Sequence, residues 1–307
     1  MFASAILAPA LLLAQQIVIP FGHPRQIEKP RSPIESAGPR WALACKDSKD
    51  PDSWTKPAPP VRIHGNTYLV GTCGISSILI VGEQGNILID GGPEPAADLI
   101  ADNIRALGFR VQDTKYILMS HEHFDHVGGI ARLQRLSGAT VIASAPAAKV
   151  LETGTAGVDD PQAGMHKPFP AVSVGRVIGD NGELRLGNLM LTAIATPGHA
   201  PGALSWRWVS CDGGVCRAIV YADGLTPISR DDYRFNDHPA YVAAYRASIA
   251  KLAASPCEIL LTPHPSASGM PDRLALGKPL FDADACKAYA ASVTRLLDER
   301  LAKEAAK

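Results

Sequence analysis

Most of the chemistry available to this sequence is concentrated in six positions, His121-Glu122-His123-Phe124-Asp125-His126, three imidazoles and two carboxylates followed closely by Gly128-Gly129. Neutral imidazole and carboxylate are natural ligands of divalent zinc or iron. Without a metal, every one of these ring nitrogens needs a hydrogen-bond partner of its own. The run leaves a short apolar segment, residues 115–119, that reads as a strand. Alternate side chains can then face one pocket while Asp125 and His126 turn toward a second ion.

Three protein ligands plus water make a catalytic zinc site, and six make a pair of them. The missing members are found downstream. His199 stands in Thr196-Pro197-Gly198-His199-Ala200-Pro201-Gly202, and His264 in Leu261-Thr262-Pro263-His264-Pro265. Each lies just past a strand-like run, in a turn rigid enough to fix a side chain. Beside the upstream cluster, both read as ligands. His23, His64, His166 and His238 lack such a setting and read as surface residues or residues behind the ligands. Asp90, before Gly91-Gly92, fits a carboxylate that orients a ligand loop.

Positioning these residues requires several strand ends at one place. Strand-like runs at 67–71, 77–81 and 86–90 form a small antiparallel meander, followed by a helix at 96–107, a strand at 115–119 and a helix at 127–136. A second block repeats the order, with strands at 172–178, 184–185, 190–194, 203–208 and 219–221. A helix at 239–254, a strand at 259–261 and a helix at 284–305 complete it. Two similar halves predict an α/β fold of two mixed sheets packed face to face with helices outside, a four-layer αββα sandwich forming one catalytic domain over 61–307. Residues 15–60 are rich in Pro, Lys, Arg and Ser and end in Lys-Pro-Ala-Pro-Pro, the signature of an extended N-terminal arm. Residues 1–14 are almost wholly apolar and read as a signal peptide, too short to span a bilayer.

Thirty basic residues balance thirty acidic ones, with no long run of either sign, which argues against nucleic acid as a partner. The six cysteines are an even number without a Cys-x-x-Cys knuckle. Cys211 and Cys216 bracket Asp-Gly-Gly-Val between two strand-like runs, so a tight hairpin brings them within bonding reach. Cys45, Cys73, Cys257 and Cys286 would form two further bridges, in a periplasmic or secreted protein. The competing reading is six free thiols in a cytosolic enzyme.

The His-Glu-His-Phe-Asp-His run, the Thr-Pro-Gly-His turn, Ala222-Asp223-Gly224-Leu225-Thr226-Pro227 and Leu-Thr-Pro-His-Pro-Ser together resemble the class B, subclass 3 metallo-β-lactamases, from about Trp54 to the C-terminal helix. The resemblance implies two Zn2+ ions, the first held by His121, His123 and His199, the second by Asp125, His126 and His264. Bridges at Cys211 with Cys216 and at Cys257 with Cys286 also recur in that subclass. Thr226 matches a residue that binds the substrate carboxylate, and Gln162 one that lines the cleft. Gly224 replaces the usual serine of the substrate-facing loop and excludes the cysteine ligand of subclass 1.

The activity implied is hydrolysis of the amide bond of β-lactam antibiotics (penicillins, cephalosporins and carbapenems) by a metal-bound hydroxide that Asp125 orients. The protein would act as a monomer on a small molecule, without a membrane span. The same scaffold also serves glyoxalase II-like thioesterases and lactonases, in which an Asp bridges both metals, and Asp223 is the candidate for that role. A non-catalytic zinc-binding protein would instead close the coordination sphere.

Overall fold

The structure is a computed structural model that describes Met1, residues 37–48 and residues 50–306. His23, the rest of the apolar leader expected at 1–14 and the first part of the expected arm lie outside the described residues.

The first half opens with helix α1 (Ala37–Cys45) and a 3-10 turn (Asp52–Thr55). Strands β1 (Val61–His64), β2 (Thr67–Leu69), β3 (Ile78–Gly82) and β4 (Gly85–Ile89) then form an antiparallel meander. Next come α2 (Ala96–Ala106), β5 (Thr114–Leu118), the short α3 (Phe124–Val127), α4 (Ile130–Ser137), β6 (Thr140–Ala143), α5 (Ala145–Thr153) and β7 (Val174–Val177). Strands β4 to β7 run parallel, so one sheet of seven strands is antiparallel at one side and parallel at the other. Its central strands β3 and β4 are buried along almost their whole length and read as continuous apolar runs, as strands covered on both faces must.

The second half builds β8 (Glu183–Leu186), β9 (Leu189–Ala195), β10 (Leu204–Asp212) and β11 (Val215–Tyr221) as an antiparallel set. Helix α6 (Pro239–Ala254) leads to β12 (Ile259–Leu261), which joins β11 in parallel, and α7 (Met270–Ala275) and α8 (Ala285–Ala305) follow. The period-two alternation of β11 and β12 makes the layering visible. Ile219, Tyr221, Ile259 and Leu261 enter the core between the sheets, whereas Val220, Ala222 and Leu260 pack with Tyr245, Ile249, Tyr289 and Val293 of α6 and α8. The two mixed sheets with helices outside are the sandwich expected from the sequence.

Three details differ from the sequence reading. The strand near 172–178 joins the first sheet, pairing parallel with β6, rather than opening the second half. Strands β1 and β6 and helices α5 and α7 have no counterpart in that reading, being short or lacking a strong period. Residues 37–45, expected to be extended, are helical because Trp41 is buried against the body of the protein and Cys45 is bonded to Cys73. The other bridges join Cys211 to Cys216, directly opposed in the β10–β11 hairpin, and Cys257 to Cys286.

Candidate metal centre

The candidate ligands stand beyond the carboxyl ends of three strands drawn from both sheets: His121 to His126 after β5, His199 after β9 and His264 after β12. The β5 exit is fixed by Asp90, whose Oδ1 accepts the Ser120 N–H at 2.6 Å and whose Oδ2 accepts the Ser120 hydroxyl at 2.7 Å. The Leu204 N–H donates to the Ser120 carbonyl at 2.6 Å, tying the same point to the second sheet. In the turn carrying His199, Gly198 is required by packing, because a Cβ there would lie 2.5 Å from the Tyr245 ring.

His121, His123 and His199 converge, with ring centroids 4.8, 4.8 and 4.9 Å apart and ligand atoms within 4.8 Å of one another. Asp125 and His126 form a second group with His121 on the same criterion. His264 is in neither group but stands beside the second, its Nε2 lying 3.4 Å from Asp125 Oδ2, which is itself 3.1 Å from His126 Nε2.

Each ring of the first group is held from behind by one nitrogen. His121 Nδ1 meets Asp223 Oδ1 at 2.8 Å, His123 Nε2 meets Asp160 Oδ2 at 2.9 Å, and His199 Nδ1 donates to the Thr226 carbonyl at 2.8 Å. This is how metal-binding imidazoles are oriented, with the second nitrogen left for the ion. His121 Nε2 is buried without a hydrogen-bond partner, and the two ring nitrogens of His126 face the Asp125 and Asp90 carboxylates at 3.1 and 3.5 Å without hydrogen-bonding geometry. Such orphaned polar atoms are costly in a dry interior unless a cation meets them, so the residues fit a metal.

Protonation follows the same logic. Burial and neighbouring imidazoles hold His121 well below its ordinary value and push His199 down to about 3, so both are neutral. For Asp125, burial works upward, but His126 and His264 outweigh it and keep the carboxylate ionised. Burial also opposes protonation of His126, yet Asp125 and Asp90 push it up to about 10, so a metal ion must displace a proton there.

The groups open into a cleft of about 280 Å3 lined by Trp54, Gln162, Gly224, Thr226 and Ile228 beside the ligands. Gln162 Oε1 accepts from His166 Nε2 at 3.1 Å, and its Nε2 lies 3.2 Å from His199 Nε2. Thr226 Oγ1 is 3.2 Å from His199 Nδ1. Asp90 stands behind the ligands as expected, its Oδ2 3.5 Å from His126 Nδ1. His166, read from sequence as peripheral, lines the cleft and packs 4.9 Å from the Phe124 ring. His64 and His238 stay outside it, the first against the Val215 carbonyl and the second stacked on Tyr233. Sequence reading missed Asp160, although the Asp-Asp-Pro-Gln segment that carries Gln162 contains it. It also missed Trp54 as a cleft wall, 5.7 Å from the His264 ring.

The family model of the metallo-β-lactamase superfamily matches residues 70–264, more than half of the chain, and the chain belongs to that superfamily. Its structural kin are more particular. The metallo-β-lactamase MIM-1 of Novosphingobium pentaromativorans is 50% identical, with a TM-score of 0.85 over 87% of this chain and 98% of that one. MEM-A1, a subclass B3 metallo-β-lactamase from a soil metagenome library, is 44% identical, with a TM-score of 0.80 over 82% of this chain and 99% of that one. A hydroxyacylglutathione hydrolase of Anaeromyxobacter dehalogenans is 30% identical over 53% of this chain and 59% of its own length. The chain thus spans 59% of the length of this curated relative and 34% of another's.

Proposed function

We propose that this chain is a subclass B3-type metallo-β-lactamase that opens the amide ring of β-lactam antibiotics with two zinc ions, one held by His121, His123 and His199, the other by Asp125, His126 and His264. The observation that carries this reading is the extent of the likeness: half of the residues are identical over almost all of MIM-1, whereas the hydroxyacylglutathione hydrolase match stops at 59% of that enzyme.

When bound, zinc lowers the pKa of a coordinated water toward about 7 and polarises a carbonyl oxygen, so no side-chain nucleophile is needed. The protein's own residues do the rest. Asp125, ionised and set between His126 and His264, would hold one ion and would accept a hydrogen from the attacking water. Thr226 and Gln162 face the cleft with a hydroxyl and an amide that suit the substrate's carboxylate and ring substituents, while Trp54 and Ile228 exclude water from its apolar side. Asp223 favours the β-lactamase reading over the thioesterase one, because its Oδ1 meets His121 Nδ1 at 2.8 Å, the role of a residue that orients a ligand from behind.

Three disulfides suit an oxidising compartment, which favours the periplasm or the medium. Among the described residues, no helix is long and apolar enough to cross a membrane. A single chain supplies every proposed ligand and cleft residue, so a monomer suffices.

The test is hydrolysis of a carbapenem and a cephalosporin by the purified protein as isolated, after chelation and after zinc is restored. Zinc-dependent turnover is the expected result. Bound zinc without β-lactam turnover, together with turnover of a thioester or lactone, would overturn the substrate assignment.

A further inference from the structure

The segment between α5 and β7 carries Gln162 and His166 into the cleft without regular structure around them, so its position depends on anchors. Asp160 is the most heavily engaged of these. It is 1% exposed, and its two carboxylate oxygens have different tasks. Oδ2 meets His123 Nε2 at 2.9 Å, and Oδ1 accepts the Gln162 N–H at 2.7 Å. Its carbonyl accepts from Arg230 Nη1 at 2.9 Å, and the Pro161 carbonyl accepts the Arg230 N–H at 2.9 Å.

Arg230 belongs to the opposite cleft segment, the one that begins at Gly224. That segment is bonded to another candidate ligand in the same way, through the Thr226 carbonyl on His199. The two cleft walls are therefore each joined to an imidazole of the first metal group, and to each other by Arg230. A backbone carbonyl is enough to orient His199. At His123 the chain uses a carboxylate, whose second oxygen reaches the amide of a cleft residue.

We propose that Asp160 is a positioning residue that couples metal retention to the order of the cleft wall. Through one oxygen it keeps His123 turned toward the ion, and through the other it holds Gln162 against the cleft. Filling the first metal group steadies the wall, and displacing the wall loosens the metal. The inference rests on reading His123 as a ligand and does not depend on the substrate being a β-lactam.

Asp160→Asn tests the link, because an amide has one acceptor oxygen: it either gives up the Gln162 N–H, or turns its NH2 to His123 Nε2 and so forces the ring proton onto Nδ1, the nitrogen left for the ion. Three quantities are measured on the full chain: zinc affinity by chelator competition, the visible absorption of the cobalt-substituted protein, and hydrogen exchange of residues 157–166 with and without zinc. In the wild type, zinc slows exchange in that segment. In Asp160→Asn, zinc affinity falls by about 10- to 100-fold, the cobalt spectrum shifts, and the slowing by zinc is lost. Arg230→Ala, which loosens the segment but leaves both Asp160 carboxylate bonds in place, weakens zinc retention by less than Asp160→Asn does. Wild-type exchange that is indifferent to zinc overturns the proposal even if the variant does not fold. So does an Asp160→Asn protein with unaltered affinity and spectrum. None of these measurements uses a β-lactam, so failure here is distinguishable from failure of the substrate assignment.

Discussion

Tyr221 donates its hydroxyl to Asp90 Oδ2 at 2.7 Å, so the end of β11 in one sheet is bonded to the end of β4 in the other. The same carboxylate holds Ser120, immediately before His121. Removing the tyrosine hydroxyl leaves Asp90 with its serine partners, so Tyr221→Phe should cost about 1 kcal/mol. Asp90→Ala strands the buried Ser120 amide and removes the acceptor shared by two buried hydroxyls, of which Tyr221 retains the Ser76 carbonyl at 3.2 Å, and should cost roughly 3 kcal/mol. Denaturant unfolding of both variants in the zinc-loaded form measures the difference, and equal losses would contradict this arrangement.

Metal removal should be felt in stability as well as in activity. The proposed ligands join loops from both sheets, so the ion closes a contact that the metal-free chain lacks. A ligand bound only by the folded state adds about 4 kcal/mol at a thousand-fold excess over its Kd. Chelation should lower the melting temperature, and zinc should restore it. His199→Ala and His264→Ala should each reduce the zinc stoichiometry from two to one. A stoichiometry of two in both variants would show that these residues are not ligands.

Gly224 is not required by the backbone. A Cβ placed there meets nothing within 4 Å, and its φ lies outside the left-handed region. The loop is held instead by Tyr289, whose hydroxyl oxygen lies 2.7 Å from the carbonyls of both Asp223 and Gly224. Gly224→Ser should fold with a stability within about 0.5 kcal/mol of the parent and the same zinc content. Its KM for β-lactams should change. A large loss of stability would mean that the open space is filled in solution.

Near the C-terminus, buried Glu304 accepts Arg300 Nε at 2.6 Å and the Asn236 N–H at 2.9 Å. Burial raises its pKa, but these donors outweigh burial and hold the carboxyl below its ordinary range. The unfolded chain therefore binds the proton more readily, with a pKa of about 4.3. The stabilisation is present above that value and fades as pH falls through the lower folded pKa. Glu304→Gln should lower the melting temperature at pH 7, and the gap to the wild type should narrow between about pH 5 and pH 3. A gap that stays constant with pH would refute this origin.

The candidate ligands were legible in the sequence because metal chemistry restricts residue types. Few arrangements other than a metal site satisfy His121, His123 and His126 with Asp125 between them, and the run begins just past a recognisable strand. The sandwich was legible from period-two runs such as 219–221. What stayed hidden depends on distance in the chain. Asp160 reaches His123 across 37 positions, and nothing local in Asp-Asp-Pro-Gln distinguishes it from a turn former. Trp54 reaches the cleft because the chain before it folds back as α1 and is bonded through Cys45, whereas composition alone suggested an extended arm. The position of β7 was equally nonlocal, since a short strand carries no mark of the sheet it will join.

The ligands sit at strand ends, whereas the cleft walls come from three separate stretches of chain around Trp54, Gln162 and Gly224. Under the proposed function, a single substitution in a wall would change what the cleft admits and leave both candidate metal groups in place. An inhibitor gripped chiefly by the walls would thus be escaped more easily than one that engages the metal end.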